Sequence, residues 1–485
     1  MNSMPLARLD SFPYRHRVRE VMSAPLELVE PEMTLGAASR LMVDKKVSSL
    51  VALDGTGRAA GIITERDVLR AMARDSADAA TDRVGSFLSS PVLEIRSDAF
   101  VYKALGRMMR HGVRHLVAVE PVTRQAVGMV TGRALLKLRS GDMVQLGDTL
   151  NQAQDAAGMA AVRAELPGVV RAMLAEGVGV LNAAAVISQV YCDMTRRAAE
   201  LAGAAMEAEG RGPAPAAWAL LVLGSGGRGE SLLAPDQDNA IVHLGSEADD
   251  AWFADLGQRV NDLLDAAGIP YCKGKVMAGK PAWRRSLAGW EEEILSWLRS
   301  LEFEPLLMVH IFFDFVAVHG DFELAEQLRR MAVDLASRAP LFLRRMAVQI
   351  EDHRAPLTLF GRFKTQEGRV DLKLGGQLPI TSGARTMALR LGSLATSTSE
   401  RLQAVQEAGI VTADDMDSLC DAYKLVTRTI LDQQLADIEA GREPSSRVNP
   451  KRLPRRLRQR LKEALRTLEG LPTITRDAVS SSVSG

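Results

Sequence analysis

One stretch of this chain is written twice. The segment from about Val18 to Arg74 and the segment from about Asp82 to Leu138 carry the same elements in the same order. Each opens with a short extended piece ending near a prolyl dipeptide, Ala24-Pro25 or Ser90-Pro91. Helical spacing follows (Leu35 to Asp44; Val101 to His111), then an apolar strand (Ser49 to Leu53; His115 to Val119), a turn, a second strand (Gly61 to Thr64; Gly128 to Thr131) and a second helix. Asp54 to Gly57 supplies the turn chemistry of the first copy.

Composition sets the outer bounds. A chain of 485 residues suggests two to four domains. Lys+Arg and Asp+Glu stand at 60 each, which disfavours a uniformly basic nucleic-acid binder and an acidic disordered chain. Aromatics are 5%, too few for a platform that stacks single-stranded bases. Cys192, Cys272 and Cys420 are odd in number and far apart, so neither a disulfide framework nor a zinc knuckle is expected, and a reducing cytoplasm is the expected location. The N-terminal residues carry no apolar run suited to a signal peptide. Leu306 to Val318, interrupted by His310 and Asp314, is too short to span a bilayer, so no membrane partner is expected.

The repeat resembles a tandem pair of CBS domains, a module that commonly binds adenosine-containing ligands in the cleft between its copies. A T-x-x-D element holds phosphate and ribose in that family, and the resemblance places these roles on Thr64 and Asp67. Asp67 suits two ribose hydroxyls and equally suits the positive end of a helix. The second copy offers Thr131 but has Ala134 where the carboxylate would stand. An adenine-nucleotide site and a dimerisation module with a degenerate cleft are both open.

From Gly141 to Glu209 the spacing predicts two or three helices, broken near Pro167 and at Gly177 to Gly179. A loop (Gly210 to Ala217) leads into a strand-length apolar run, Trp218 to Leu223. A glycine-rich turn follows, Gly224-Ser225-Gly226-Gly227-Arg228-Gly229-Glu230-Ser231. Its backbone N–H groups can approach an anion, Ser225 adds a hydroxyl donor, and Arg228 adds a planar cation suited to phosphate. Then comes Asp236-Gln237-Asp238-Asn239 before a second apolar strand, Ala240 to Leu244. Residues two apart on an extended chain share a face. Two carboxylates on one face beside a phosphate cradle suit a shared Mg²⁺.

Strand, G-S-x-x-R-x-E turn and D-x-D together resemble the nucleotidyltransferase fold of polymerase-β-like enzymes and of the uridylyltransferases that modify the PII signalling protein. The resemblance implies that Gly224, Ser225, Arg228 and Glu230 form the triphosphate side. It implies that Asp236 and Asp238 bind metal, and that a third acid arrives from a later strand. Asp314, in the strand-like run His310 to Val316, is the expected third. More narrowly, the order of parts is similar to a bacterial signal-transduction family that joins CBS pairs to a nucleotidyltransferase domain and a helical C-terminal domain. The segments Cys272 to Trp297, Phe312 to Asp321 and Asp371 to Arg385 carry that likeness. That family often has a cyclic-nucleotide-binding domain ahead of its CBS pair, and this sequence has none.

Lys273, Lys275 and Lys280 form a basic, glycine-containing loop between the second and third expected acids. It suits a nucleotide entrance or a solvated surface. Asp371 to Gly376 is read as a polar loop whose Lys373 reaches toward a nucleotide, or as a plain connection. Trp283, Leu287, Trp290, Ile294, Trp297 and Leu301 fall on one helix face and are read as core. The basic run Arg447 to Arg466 carries a leucine stripe and is read as an amphipathic helix on the domain rather than an RNA site. The histidines lack metal-ligand spacing, and no G-x-S-x-G elbow is present.

The expectation is an α/β plus α protein: a regulatory CBS pair (1–140), a helical lead-in with a nucleotidyltransferase core (141–330), and a helical, substrate-binding C-terminal part (331–485). The expected reaction is Mg²⁺-dependent transfer of a nucleotidyl group from an NTP to an acceptor hydroxyl on a protein, adjusted by adenine nucleotide at the CBS pair. A homodimer is the expected assembly. A non-catalytic nucleotide sensor and an RNA nucleotidyltransferase are the competing readings.

Overall fold

The computed structural model describes residues 16–74, 79–132, 144–299, 310–350, 355–358 and 360–480. The chain divides into two compact units, Met1–Thr149 and Leu150–Gly485.

Both copies of the repeat fold alike within the first unit. The first copy has α1 (Leu35–Lys45), β1 (Ser49–Leu53), β2 (Ala59–Thr64) and α2 (Glu65–Arg74). The second has β3 (Glu94–Arg96), α3 (Val101–His111), β4 (His115–Val119) and β5 (Ala126–Thr131). Both strand pairs β1–β2 and β4–β5 are antiparallel, with Ser49 opposite Thr64 and His115 opposite Thr131. Thr34 accepts from the Ala37 N–H at 3.3 Å and caps α1, satisfying one donor that the helix leaves unpaired. The copies exchange their leading segments. Ser23 bridges Met129 of the second copy, and Ser89 bridges Ile62 of the first. Each copy keeps a small core of its own, and a further apolar cluster of Val51, Val117, Val119 and Met129 joins them.

The second unit opens with α4 (Ala156–Ala175) and α5 (Val180–Ala208). The break at Gly177 to Gly179 is present, but Pro167 lies inside α4. Its missing N–H is offset by burial of Leu166, Val169 and Val170 around it. Next come β6 (Trp218–Val222), β7 (Asn239–His243), α6 (Asp250–Ala266), β8 (Arg284–Ser286), α7 (Leu287–Arg299) and β9 (Val316–Gly320). The sheet order is β8-β7-β6-β9. Only β7 and β8 are parallel neighbours. β6 and β7 read as unbroken apolar runs because nearly every residue in them is buried. Ala219, Leu221, Ala240 and Val242 point into the cluster that holds Trp290, Ile294 and Trp297 of α7. Trp290 also donates its indole N–H to the Ile241 carbonyl at 3.0 Å. Trp283 precedes that helix, and Leu301 lies outside the described residues.

The chain then turns helical: α8 (Phe322–Ser337), α9 (Pro340–Gln349), α10 (Leu378–Arg390), α11 (Thr398–Glu407), α12 (Ala413–Glu439), α13 (Arg455–Thr467) and α14 (Leu471–Ser480). α13 buries Leu461 and Leu465 and leaves most of its arginines in solvent, as an amphipathic helix should. Among the described residues no helix is long and apolar enough to cross a membrane.

Candidate functional site

Three segments meet at one end of the central sheet. β6 ends at Val222, which lies opposite both Asn239 of β7 and Val316 of β9. The glycine-rich turn therefore leaves the sheet where the chain enters β7 and β9. The Leu223 N–H donates to the Asp238 carbonyl at 2.8 Å, which prolongs the β6–β7 ladder by one residue.

The acids and amides of Asp236-Gln237-Asp238-Asn239 separate by alternation. Gln237 and Asn239 are each 2% exposed, whereas Asp236 is exposed and Asp238 half-buried. The buried amides are fully used. Gln237 Nε2 donates to the Asn261 and Ile269 carbonyls at 2.9 Å each. Asn261 Nδ2 donates to Gln237 Oε1 and Asn239 Oδ1, also at 2.9 Å. The Ala278 N–H reaches Asn239 Oδ1 at 2.8 Å, and the Gly279 N–H reaches Asn261 Oδ1 at 3.0 Å. A satisfied buried network of this kind fixes backbone position. It holds the D-x-D segment against the loop that carries Cys272.

That arrangement collects donors. One carboxylate oxygen each from Asp236 and Asp238 and the sulfur of Cys272 all lie within 4.8 Å of one another. Asp238 Oδ1 is completely buried and has no hydrogen-bond partner. Burial, and then the Asp236 charge, push the Asp238 pKa up to about 7. Burial, and then the Asp238 charge, push the Cys272 thiol up to about 12. The cluster thus concentrates negative charge with one oxygen unanswered, which is the condition a divalent cation relieves. Two carboxylates are a sufficient protein contribution for Mg²⁺, which keeps waters and takes phosphate oxygens for the rest of its octahedron.

The glycine turn lies hard against this cluster. Gly224 has φ +56°, and a Cβ there would sit 2.8 Å from Asp238 Oδ2. A Cβ on Gly227 would lie 1.8 Å from the Asp314 carbonyl oxygen. Glycine is required at both positions by close approach. Ser225 lines the same cleft as Asp236 and Asp238, with its hydroxyl 3.3 Å from that of Ser231. Lys373 opens a π-helical turn, Lys373–Gln377, that runs into α10. It is exposed, and its charge acts to draw the Asp238 pKa down. Lys373 therefore does come near the D-x-D pair, on a helical turn and not on a loop.

Asp314 is the main correction. His310 to Phe312 are helical, Phe313 and Asp314 form a turn, and β9 begins only at Val316. Asp314 is fully buried among arginines. Its Oδ1 accepts from Arg385 Nε at 2.9 Å and Arg401 Nη1 at 2.6 Å. Its Oδ2 accepts from Arg385 Nη2 at 2.5 Å and Arg228 Nη1 at 2.6 Å. A carboxylate has about four acceptor positions, and four guanidinium N–H groups fill them. Burial alone would raise its pKa; the charges of Arg385, Arg401 and Arg228 override burial and hold it well below the usual carboxylate range. No acceptor remains for a metal, and Asp314 is not part of the donor cluster.

Arg228 and Glu230 are likewise structural. Arg228 Nε donates to Glu230 at 2.6 Å while its Nη1 holds Asp314. Glu230 also accepts from the Thr398 N–H at 2.6 Å and the Thr398 hydroxyl at 3.0 Å, which ties the glycine turn to the start of α11. Neither side chain is placed to cradle phosphate. Lys275 is exposed three residues beyond Cys272, at φ +59°, and donates its backbone N–H to the Cys272 carbonyl.

In the first unit Thr64 and Asp67 sit together. The Thr64 hydroxyl and N–H both donate to Asp67 Oδ2, at 2.7 and 3.0 Å. Asp67 thereby caps α2 and faces the second copy, where its charge acts on His115. Thr131 ends β5 as Thr64 ends β2. Ala134 lies outside the described residues.

Sequence reasoning missed Cys272 as a donor, Asn261 as the clamp, and Arg401 as a partner of Asp314. Arg385 had been noted only as a residue beyond a loop. Asn261 left a trace, since it interrupts the apolar face of α6 between Phe253, Gly257 and Leu264. A buried amide on such a face needs a partner.

Family models match almost the whole described chain in sequence order. CBS domain models match residues 18–74 and 84–141. The model "Putative nucleotidyltransferase DUF294" matches residues 164–304, and "Putative nucleotidyltransferase substrate binding domain" matches 340–479. The chain belongs to this CBS-bearing nucleotidyltransferase family. Among curated proteins, the family member is similar to a bifunctional glutamine synthetase adenylyltransferase/adenylyl-removing enzyme of Mycobacterium avium. The two are 29% identical over 239 residues, covering 45% of this chain and 23% of that enzyme. An uncharacterized 17.7 kDa protein of Acidianus ambivalens is 29% identical over 104 residues, covering 21% of this chain and 62% of that protein. The chain thus spans less than two thirds of either relative. A solved CBS domain protein from Pyrobaculum aerophilum complexed with AMP matches at 25% identity, covering 25% of this chain and 98% of that one, with a TM-score of 0.23. A CBS-domain-containing protein from Agrobacterium tumefaciens matches at 21% identity, covering 25% and 90%, with a TM-score of 0.24.

Proposed function

We propose that this family member is a Mg²⁺-dependent nucleotidyltransferase that moves an adenylyl group from ATP to a hydroxyl of an acceptor protein. The observation that carries the reading is the buried, unpartnered Asp238 Oδ1 beside Asp236, directly against the glycine turn. Asp236 and Asp238 would hold the metal, which when bound supplies charge to the phosphates. Ser225 donates its hydroxyl toward the triphosphate, and Gly224 lets the backbone approach. Lys373 supplies a cation on the C-terminal side. The curated relatives that carry adenylyltransferase in their names support adenylyl over other nucleotidyl groups. Residues 1–140 would serve as a regulatory pair with adenine nucleotide at Thr64 and Asp67, and with Thr131 at the second position. Residues 141–330 would carry the chemistry, and 331–485 the acceptor.

The test is direct. Full-length protein incubated with α-labelled ATP, Mg²⁺ and lysate should label an acceptor polypeptide, and Asp236→Asn should abolish the label. AMP should change the rate. A second reading, a nucleotide sensor without catalysis, is favoured by the presence of only two carboxylates in the donor cluster among the described residues. It predicts ATP binding with no transfer under the same conditions.

A further inference from the structure

We propose that Cys272 turns the Asp236–Asp238 pair into a three-donor site for a thiophilic divalent cation of the Zn²⁺ class, which competes there with the hard cation that transfer uses. This rests on the metal-site reading above and adds a regulatory ion to it. Cys272 is 7% exposed, and its sulfur lies within 4.8 Å of oxygens from both acids. It cannot drift from them, because the residues around it are pinned. Gln237 N–H donates to the Pro270 carbonyl at 3.0 Å, Asn239 N–H to the Val276 carbonyl at 3.2 Å, and Lys275 N–H to the Cys272 carbonyl at 2.9 Å.

The donor set selects the ion. Mg²⁺ takes oxygen ligands and gains nothing from sulfur, whereas a borderline-soft ion takes thiolate and carboxylate together. Bond lengths of about 2.3 Å to sulfur and about 2.0–2.2 Å to oxygen let one ion bridge all three after small side-chain rotations. Asp238 Oδ1 has no protein partner to surrender, and exposed Asp236 stands on the solvent side as the entry. On binding, sulfur donates a lone pair to the cation and the thiol proton leaves to solvent, so the step needs no oxidant. A fourth position stays open for water or a phosphate oxygen. Neither Cys192 nor Cys420 belongs to the cluster.

Cd²⁺ is the probe, because its thiolate complex has an ultraviolet charge-transfer absorption. Metal-free full-length protein titrated with Cd²⁺ should show one band that saturates at about one ion per chain. The band should vanish in Cys272→Ser and persist in Cys420→Ser. Asp236→Asn should weaken Cd²⁺ binding at least about tenfold. Mn²⁺ binding, followed by electron paramagnetic resonance, should be the same in wild type and Cys272→Ser. A band that survives Cys272→Ser overturns the proposal. So does a missing band in wild type that still binds Mn²⁺. If Mn²⁺ itself fails to bind, the carboxylate reading of the site is what falls. Should Cys272→Ser not fold, the exposed Asp236 variant decides, and unchanged Cd²⁺ affinity there overturns the thiol–carboxylate site.

Discussion

Asp314→Ala should destabilise the Leu150–Gly485 unit by about 3–5 kcal/mol, the range for removing one partner from a buried charge cluster. Arg385 and Arg401 are each 2% exposed and spend donors on this one carboxylate. Without it they remain buried as uncompensated cations beside Arg228. All five tryptophans (Trp218, Trp252, Trp283, Trp290, Trp297) lie in this unit. Denaturant unfolding followed by tryptophan fluorescence therefore reports on it selectively. The effect has a defined pH sign. Asp314 has a depressed folded pKa, so its contribution is fully present above the ordinary value of 3.8 and is lost as pH falls below that. The difference between wild type and Asp314→Ala should be constant near neutrality and shrink in acid. Unchanged stability with lost transfer would return Asp314 to the metal site.

Asp238→Asn should do the reverse. Transfer activity should fall by at least about 10²–10³-fold, the scale for removing a preorganised electrostatic group from a reacting centre. Folding stability at pH 8 in the absence of metal should hold or rise. The wild-type carboxylate is buried on one oxygen without a partner and stands beside the Asp236 charge. An amide of the same shape removes that repulsion. A residue whose loss harms activity while sparing stability is spending stability on function. Transfer measured by label incorporation, together with fluorescence-detected unfolding of the same samples, checks both signs. A variant that transfers normally would remove Asp238 from the chemistry.

What the sequence disclosed and what it hid follow from sequence separation. The repeat was legible because two copies agree in order. The glycine turn and D-x-D were legible because their chemistry lies within fifteen consecutive residues, Gly224 to Asp238. Their meeting at a sheet end followed from two apolar runs. Asp314 was misread because an acid in an apolar segment signals only that it is paired, not with what. Its partners Arg385 and Arg401 stand 71 and 87 residues away. Arg228 and Glu230 were assigned to phosphate for the same reason: their charges were visible and their mutual neutralisation was not. Cys272 reads locally as a small apolar residue, and only the Gln237–Asn261–Asn239 clamp brings its loop against Asp238. The helical start of His310 to Phe312 was masked by residues that suit a strand as well as a buried turn.

The central claim is that Asp236 and Asp238 together hold a divalent cation beside the glycine turn. Mn²⁺ binding to the full-length protein, read by electron paramagnetic resonance with and without ATP, tests it most directly. The account predicts Mn²⁺ binding that ATP tightens and that the double variant Asp236→Asn/Asp238→Asn loses. Equal binding by wild type and that double variant, or none by either, would contradict it.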